Sequence, residues 1–301
     1  MAFWIVTDAC CDLPAAYLTK RQNLLVVPMS YQIDGDIKQI DPLDPNPEQT
    51  AHDFYQKLEG GSNATTFQVN QQDWVDLIDP LCQQGNDVLV LAFSSGLSGT
   101  CASAITAVEE LQQKYPNQKI LAVDSLCASL GEGLFVHLTL AQRDSGKSIE
   151  ECHRFALDLV PRLIHWFTVD DLHFLRRGGR VSATSAYLGS ILKIKPVLNV
   201  DPKGKLIPRE KVQGRKRSLR SLFEKVQEYA FEPEKQTMFI SHGDCKEDAL
   251  WLADKLKAEL SVPEVMISTI GPIIGSHSGP GTVAMFFVGK DAAGRMTSPT
   301  E

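Results

Sequence analysis

No run of apolar residues in this 301-residue chain approaches the ~20 needed to span a bilayer. The first residues, Met1-Ala2-Phe3-Trp4-Ile5-Val6-Thr7-Asp8, lack the basic stretch and long apolar core of a secretory signal. A soluble, cytoplasmic protein without a transmembrane segment is therefore expected, with transient membrane contact left open. There is no Cys-x-x-Cys, no His-Glu-x-x-His and no P-loop, and Gly131-Glu132-Gly133 lacks the third glycine of the dinucleotide fingerprint. These absences leave no metal and no cofactor expected. The Gly-x-Ser-x-Gly elbow of serine hydrolases is missing too. Cysteines at 10, 11, 82, 101, 127, 152 and 245 are odd in number and fit no zinc spacing, so they read as buried reduced thiols. Basic residues are outnumbered, 30 Lys+Arg to 37 Asp+Glu, and a formal charge of −7 argues against a general nucleic-acid binder.

What is present is a regular alternation. Apolar runs at Phe3–Val6, Leu24–Val27, Val88–Phe93 and Ile120–Val123 alternate with helical patterns near 14–20, 48–58, 74–81, 101–114, 128–143 and 149–160. Ser148 with Glu151 forms a capping box for the last of these. Such alternation implies a parallel sheet with right-handed crossovers, and ligands gather at the carboxyl ends of its strands. Thr7-Asp8, Ser94-Ser95 and Asp124-Ser125 occupy those ends. After Pro161 the pattern changes to a strand at Leu163–Val169, a hairpin turning at Asp201-Pro202-Lys203-Gly204, and strands near 238–241, 265–270 and 283–288 between helices. The expected organisation is a two-domain α/β protein: an N-terminal α/β domain over residues 1–160 with a parallel sheet and flanking helices, a C-terminal α+β domain over 161–290, and a polar, frayed tail over 291–301, with a ligand in the cleft between the domains.

Three stretches could carry chemistry. Ser94-Ser95-Gly96-Leu97-Ser98-Gly99-Thr100 links a buried strand to a helix, so its serines read as caps, as ligand-contacting hydroxyls or as a nucleophile. Gly271 to Gly281 is so rich in Gly and Pro that it fixes an unusual backbone around His277, which is read as a rigid loop holding either a structural His or a donor to an anion. Arg176-Arg177-Gly178-Gly179-Arg180 offers guanidinium groups suited to carboxylate or phosphate. The basic residues between Lys203 and Arg220 read as a solvated face or a docking surface. Asp8 and Asp124 read as loop caps rather than a metal pair.

The ordered set Thr7-Asp8 with Asp12-Leu13-Pro14, the Ser94–Thr100 turn, Val123-Asp124-Ser125, Gly178-Gly179-Arg180, Leu192-Lys193-Ile194-Lys195-Pro196 and His277-Ser278-Gly279-Pro280-Gly281 resembles the DegV family of bacterial fatty-acid-binding proteins over nearly the full length. The resemblance implies a non-catalytic lipid carrier of two α/β domains that holds one long-chain fatty acid and presents it to a fatty acid kinase for acyl-phosphate formation. Carried over by position, Thr66, Ser94, Ser95 and His277 would bind the carboxylate, with Gly178, Gly179, Arg180, Phe67 and Ser125 in supporting or partner-facing roles. The family's Thr-Ser-Gln-Pro reads Thr66-Phe67-Gln68-Val69 here, and its usual Ser after Thr-Asp is Ala9. Two other readings compete: an acyl hydrolase or transferase using Ser94 or Ser95 with His277, and a nucleic-acid-binding regulator using Lys203 to Arg220.

Overall fold

The structure is a computed structural model that describes residues 3–181 and 194–295, so Leu192 and Lys193 of the motif above lie outside the described residues. Its strands are β1 (Trp4–Asp8), β2 (Leu24–Val27), β3 (Ser30–Ile33), β4 (Asp36–Gln39), β5 (Ala64–Thr66), β6 (Val88–Ala92), β7 (Ile120–Asp124), β8 (Leu163–Thr168), β9 (Ile194–Val200), β10 (Leu206–Gln213), β11 (Thr237–His242), β12 (Glu264–Thr269) and β13 (Val283–Val288). They form a parallel sheet in the order β2-β1-β6-β7, a six-stranded sheet in the order β10-β9-β8-β13-β11-β12, and a small antiparallel sheet β4-β3-β5. The six-stranded sheet is antiparallel except where β11 pairs with β12.

Strand periodicity explains the layering. Successive side chains point to opposite faces. Ile5, Leu89 and Leu91 pack on one face of the parallel sheet against Leu134, Phe135 and Leu159, from the helices Leu130–Asp144 and Ile149–Leu159. Val6, Val88, Val90 and Ala92 pack on the other face against Trp74, Ile78, Ala104 and Leu111. Phe167, Phe239, Ala284 and Phe286 of the six-stranded sheet join the first of these clusters. On that sheet's far face, Ile164, Trp166, Ile240, Met285 and Phe287 meet the helices Arg215–Tyr229 and Lys246–Leu260. The result is a mixed α/β fold of five layers, helices–sheet–helices–sheet–helices, in which Leu130–Asp144 is shared by both sheets.

Several local expectations change. The short helix Ala15–Leu18 has Pro14 as its N-cap without a side-chain bond, and Asp12 just before it is engaged elsewhere. Its carboxylate instead accepts from the Gly271 backbone N–H across to the second half. The polar segment 62–70, which falls between two helical patterns, contains β5, which pairs with β3. The Gly/Pro stretch expected as a rigid loop begins as a helix, Pro272–Ser278. Proline suits the first helical turn, and Gly275 lets the backbone approach Tyr55, where a Cβ would lie 2.6 Å from Oη. The tail is docked as far as the description reaches. Arg295 is 2% exposed and donates through Nη1 to the Val160 carbonyl at 2.6 Å and through Nη2 to the Leu126 carbonyl at 2.7 Å.

Candidate functional site

A cavity of about 440 Å³ lies between the two halves, within the ~300–1,000 Å³ of ordinary ligand sites. One wall is the face of the six-stranded sheet carrying His165, Phe167, Ala284 and Phe286. Opposite it stand Met29, Phe93, Leu97 and Ala128 from the first half, and Leu175, Val200, Leu206, Ile270, Ile273 and Ile274 complete an apolar lining.

Polar groups converge at one end. Thr66 ends β5, and its hydroxyl lies 2.9 Å from Nε2 of His277 on the helix Pro272–Ser278. The two residues are 211 positions apart and come from different halves. Burial, reinforced by the Arg180 and Arg177 guanidinium groups, lowers the His277 pKa to about 4. The imidazole is therefore neutral near pH 7, with one nitrogen donating and the other accepting. Its Nδ1 has no hydrogen-bond partner among the described residues and faces Gly178, where an added Cβ would lie 2.2 Å away. Arg180 also lines the cavity. Its Nε donates to the Leu97 carbonyl at 3.2 Å and its Nη1 to the Gly178 carbonyl, which holds the guanidinium near His277. Gly179 supplies the left-handed turn before it, at φ +70°.

The opening turn contributes differently from expectation. Ser94 is fully buried, donates to the Gly204 carbonyl at 3.0 Å and accepts from the Gly96 N–H, so its hydroxyl is spent on the hairpin turn of the second half. Gly96 and Gly204 permit this approach, since a Cβ on either would fall within 2.4 Å of the facing turn. Ser95 is exposed, and its N–H bonds to Asp124. Neither serine lines the cavity; Leu97, Ser98 and Gly99 of the same turn do. Ser125 is a turn residue whose Oγ accepts from the Cys127 N–H, away from the cavity. Phe67 is 44% exposed and lines the cavity from its solvent side. Asp8 and Asp124 cap loops as expected, Asp8 accepting from Cys10 and Phe93, Asp124 from Ser95 and Leu126. Sequence reasoning missed Ser98, Gln68, His165 and Ser278 as lining residues. Ser98 and Gln68 adjoin motif residues, and Ser278 adjoins His277. His165 had one signal, a polar residue within the run Leu163-Ile164-His165-Trp166-Phe167.

Fold and cavity together define an α/β protein with a ligand-sized, mainly apolar chamber between its two halves. The chain belongs to the DegV family: the family profile, described as an uncharacterised protein of the DegV family, matches residues 2–290. A DegV domain-containing protein of Clostridium perfringens is 42% identical over 287 residues, which are 95% of this chain and 97% of that one. Among solved structures, a fatty-acid-binding DegV family protein of Thermus thermophilus is 28% identical, with a TM-score of 0.84 over 95% of this chain and 99% of the other. The fatty acid kinase B3 protein of Streptococcus pneumoniae, solved with linoleic acid, shares the fold at 18% identity and a TM-score of 0.82, over 96% of this chain and 99% of that one.

Proposed function

We propose that this protein binds one long-chain fatty acid in the cavity, with its carboxylate at the Thr66–His277–Arg180 end, and presents it to a fatty acid kinase without catalysing a reaction itself. The observation that carries the reading is an apolar chamber between two sheets with its Thr, His and Arg gathered at one end. The tail supplies the affinity. At ~0.8 kcal/mol per buried methylene, a chain of about 15 is worth on the order of 12 kcal/mol before the costs of association. The polar end adds roughly 1 kcal/mol per hydrogen bond and prevents an unpaired buried carboxylate. Fatty-acid binding by the Thermus relative supports the ligand class; the kinase step rests on the family resemblance.

The hydrolase reading loses its geometry. The Ser94 hydroxyl is bound to Gly204, Ser95 is exposed, and a His277 with a pKa of about 4 and no carboxylate on Nδ1 is a poor general base. Native mass spectrometry of the purified protein should show one co-purified long-chain acid. A ligand-free protein that also fails to take up any long-chain acid would overturn the reading. His277→Ala should reduce phosphoryl transfer by a partner kinase more than acid binding, and equal losses would remove the presenting role.

A further inference from the structure

The wall of the cavity holds a polar side chain that a hydrocarbon tail cannot satisfy. His165 sits on β8 with Phe167 two residues on, so both point to the cavity face, and each pairs across the sheet with a lining residue, Phe286 and Ala284 respectively. It is 1% exposed, and neither Nδ1 nor Nε2 makes a hydrogen bond among the described residues. The fold makes room for it. A Cβ at Gly131 would fall 2.9 Å from both Cε1 and Nε2, and the ring packs edge-on against Phe286 at 5.3 Å. Buried side-chain nitrogens are nearly always paired, and a neutral imidazole brings one donor and one acceptor. Burial and the nearby Arg295 guanidinium hold His165 well below the usual histidine range, which keeps it neutral.

Its position along the sheet separates it from the carboxylate end. Thr282 donates to the Ser278 carbonyl just beyond the His277 helix, and Phe286, the cross-strand partner of His165, lies four residues further along β13. At about 3.3 Å per residue that is some 13 Å along the strand from Thr282. A chain anchored by its carboxylate at Thr66 and His277 therefore meets His165 with its middle or distal carbons.

We infer that His165 recognises an oxygen carried on the acyl chain itself, so that the ligand class of this chain is a long-chain fatty acid bearing a hydroxyl or keto group on its middle or distal carbons. The inference rests on the fatty-acid reading above. A hydroxyl can accept from the protonated ring nitrogen or donate to the unprotonated one, and a keto oxygen can accept from the protonated one. Plain methylenes leave both unmet.

The test compares dissociation constants, by titration calorimetry, for stearic acid and for a series of hydroxy- and oxostearic acids substituted at successive positions along the chain. At least one positional isomer should bind wild type about tenfold more tightly than stearic acid. His165→Phe keeps the ring volume and the Phe286 contact, and it should abolish that ratio; a thermal melt establishes that the variant is folded. Stearic acid binding as tightly as every substituted isomer, as expected if a trapped water satisfies His165, would overturn the inference. So would a preference that survives in His165→Phe. Failure of the underlying fatty-acid reading looks different, because no acid in the series would then bind.

Discussion

Gly178→Ala isolates the geometry of the polar end. Gly178 has φ −74° and ψ −7°, a backbone that alanine adopts without strain. The new methyl group would stand 2.2 Å from His277 Nδ1 and 3.2 Å from its Cε1 and Cγ. Contacts this short force a shift, and overpacking of this kind costs roughly 1–3 kcal/mol. The turn is held on both sides, by the Gly178 N–H on the Phe174 carbonyl at 3.0 Å and by Arg180 on the Gly178 carbonyl, so the imidazole is what yields, toward Thr66 at 2.9 Å. Displacing it forfeits that hydrogen bond, worth about 1 kcal/mol, and moves Nε2 away from where a carboxylate would sit. The assay is the ratio of affinities for a fatty acid and its methyl ester, which share the tail and differ at the head. The ratio should fall about fivefold or more in Gly178→Ala, and the urea midpoint should fall with it. Gly179→Ala is the control. A Cβ there meets nothing within 4 Å, so only the left-handed backbone at φ +70° is penalised, by about 1 kcal/mol, and the affinity ratio should hold. Wild-type stability with a wild-type ratio in Gly178→Ala would show that the imidazole is not wedged between glycine and threonine.

Ser94→Ala should cost about 1–3 kcal/mol in chemical denaturation, because it leaves the buried Gly204 carbonyl and Gly96 N–H without the hydroxyl they share, yet the acid-to-ester ratio should hold; a ratio lowered as far as by Thr66→Ala would put Ser94 on the carboxylate after all. Asp12→Asn tests a pH dependence. Desolvation, opposed by bonds from Ser129 and Gly271, raises the Asp12 pKa to about 7, so the folded state keeps a proton that the unfolded chain releases near the ordinary aspartate value of 3.8. The stability this provides is complete below about pH 4 and is lost as pH rises to about 7, so the Asn variant should gain on wild type by a few kcal/mol over that window, while a constant difference in denaturation free energy would refute the shift.

The parallel sheet and its helices were legible because each strand is a short apolar run between turn signals, and the Ser148–Glu151 capping box is complete in the sequence. β4 and β5 were not legible. Asp36-Ile37-Lys38-Gln39 is exposed throughout, and Ala64-Thr65-Thr66 is three residues long, so both exist because β3 lies between them and supplies their ladders. The helix at Pro272–Ser278 was hidden by its own composition. Glycine is a poor helix former, but here Gly275 is required by the closeness of Tyr55, a contact with no trace in the local sequence. His165 was hidden for the opposite reason. An antiparallel strand with one polar position reads as half-solvated, and only the helix Leu130–Asp144 lying on that face makes it a buried one.

Motif reading placed Ser94 at the correct strand end yet gave its hydroxyl to the wrong partner, and the reason extends to the whole site. Ser94 to Gly204, Tyr55 to Ile270, Asp12 to Gly271, Thr66 to His277 and Ser129 to Ser241 are hydrogen bonds between the two halves, each joining residues more than 100 positions apart. Gly204 and Ile270 receive side chains at their carbonyls and Gly271 at its N–H, backbone groups that nearly every residue type offers, so a sequence cannot announce such contacts. Ser129, Ile270, Thr66 and His277 from this set also line the cavity. The bonds that fix how the halves meet are thus partly the walls of the chamber, and its polar end exists only once both halves are in register. Hydroxyls in motifs at strand ends therefore divide into those that assemble the chamber without facing it, such as Ser94, and those that line it, such as Ser98 and Thr66, the latter while also joining the halves. What divides them is the facing backbone of the other half, which local sequence does not specify.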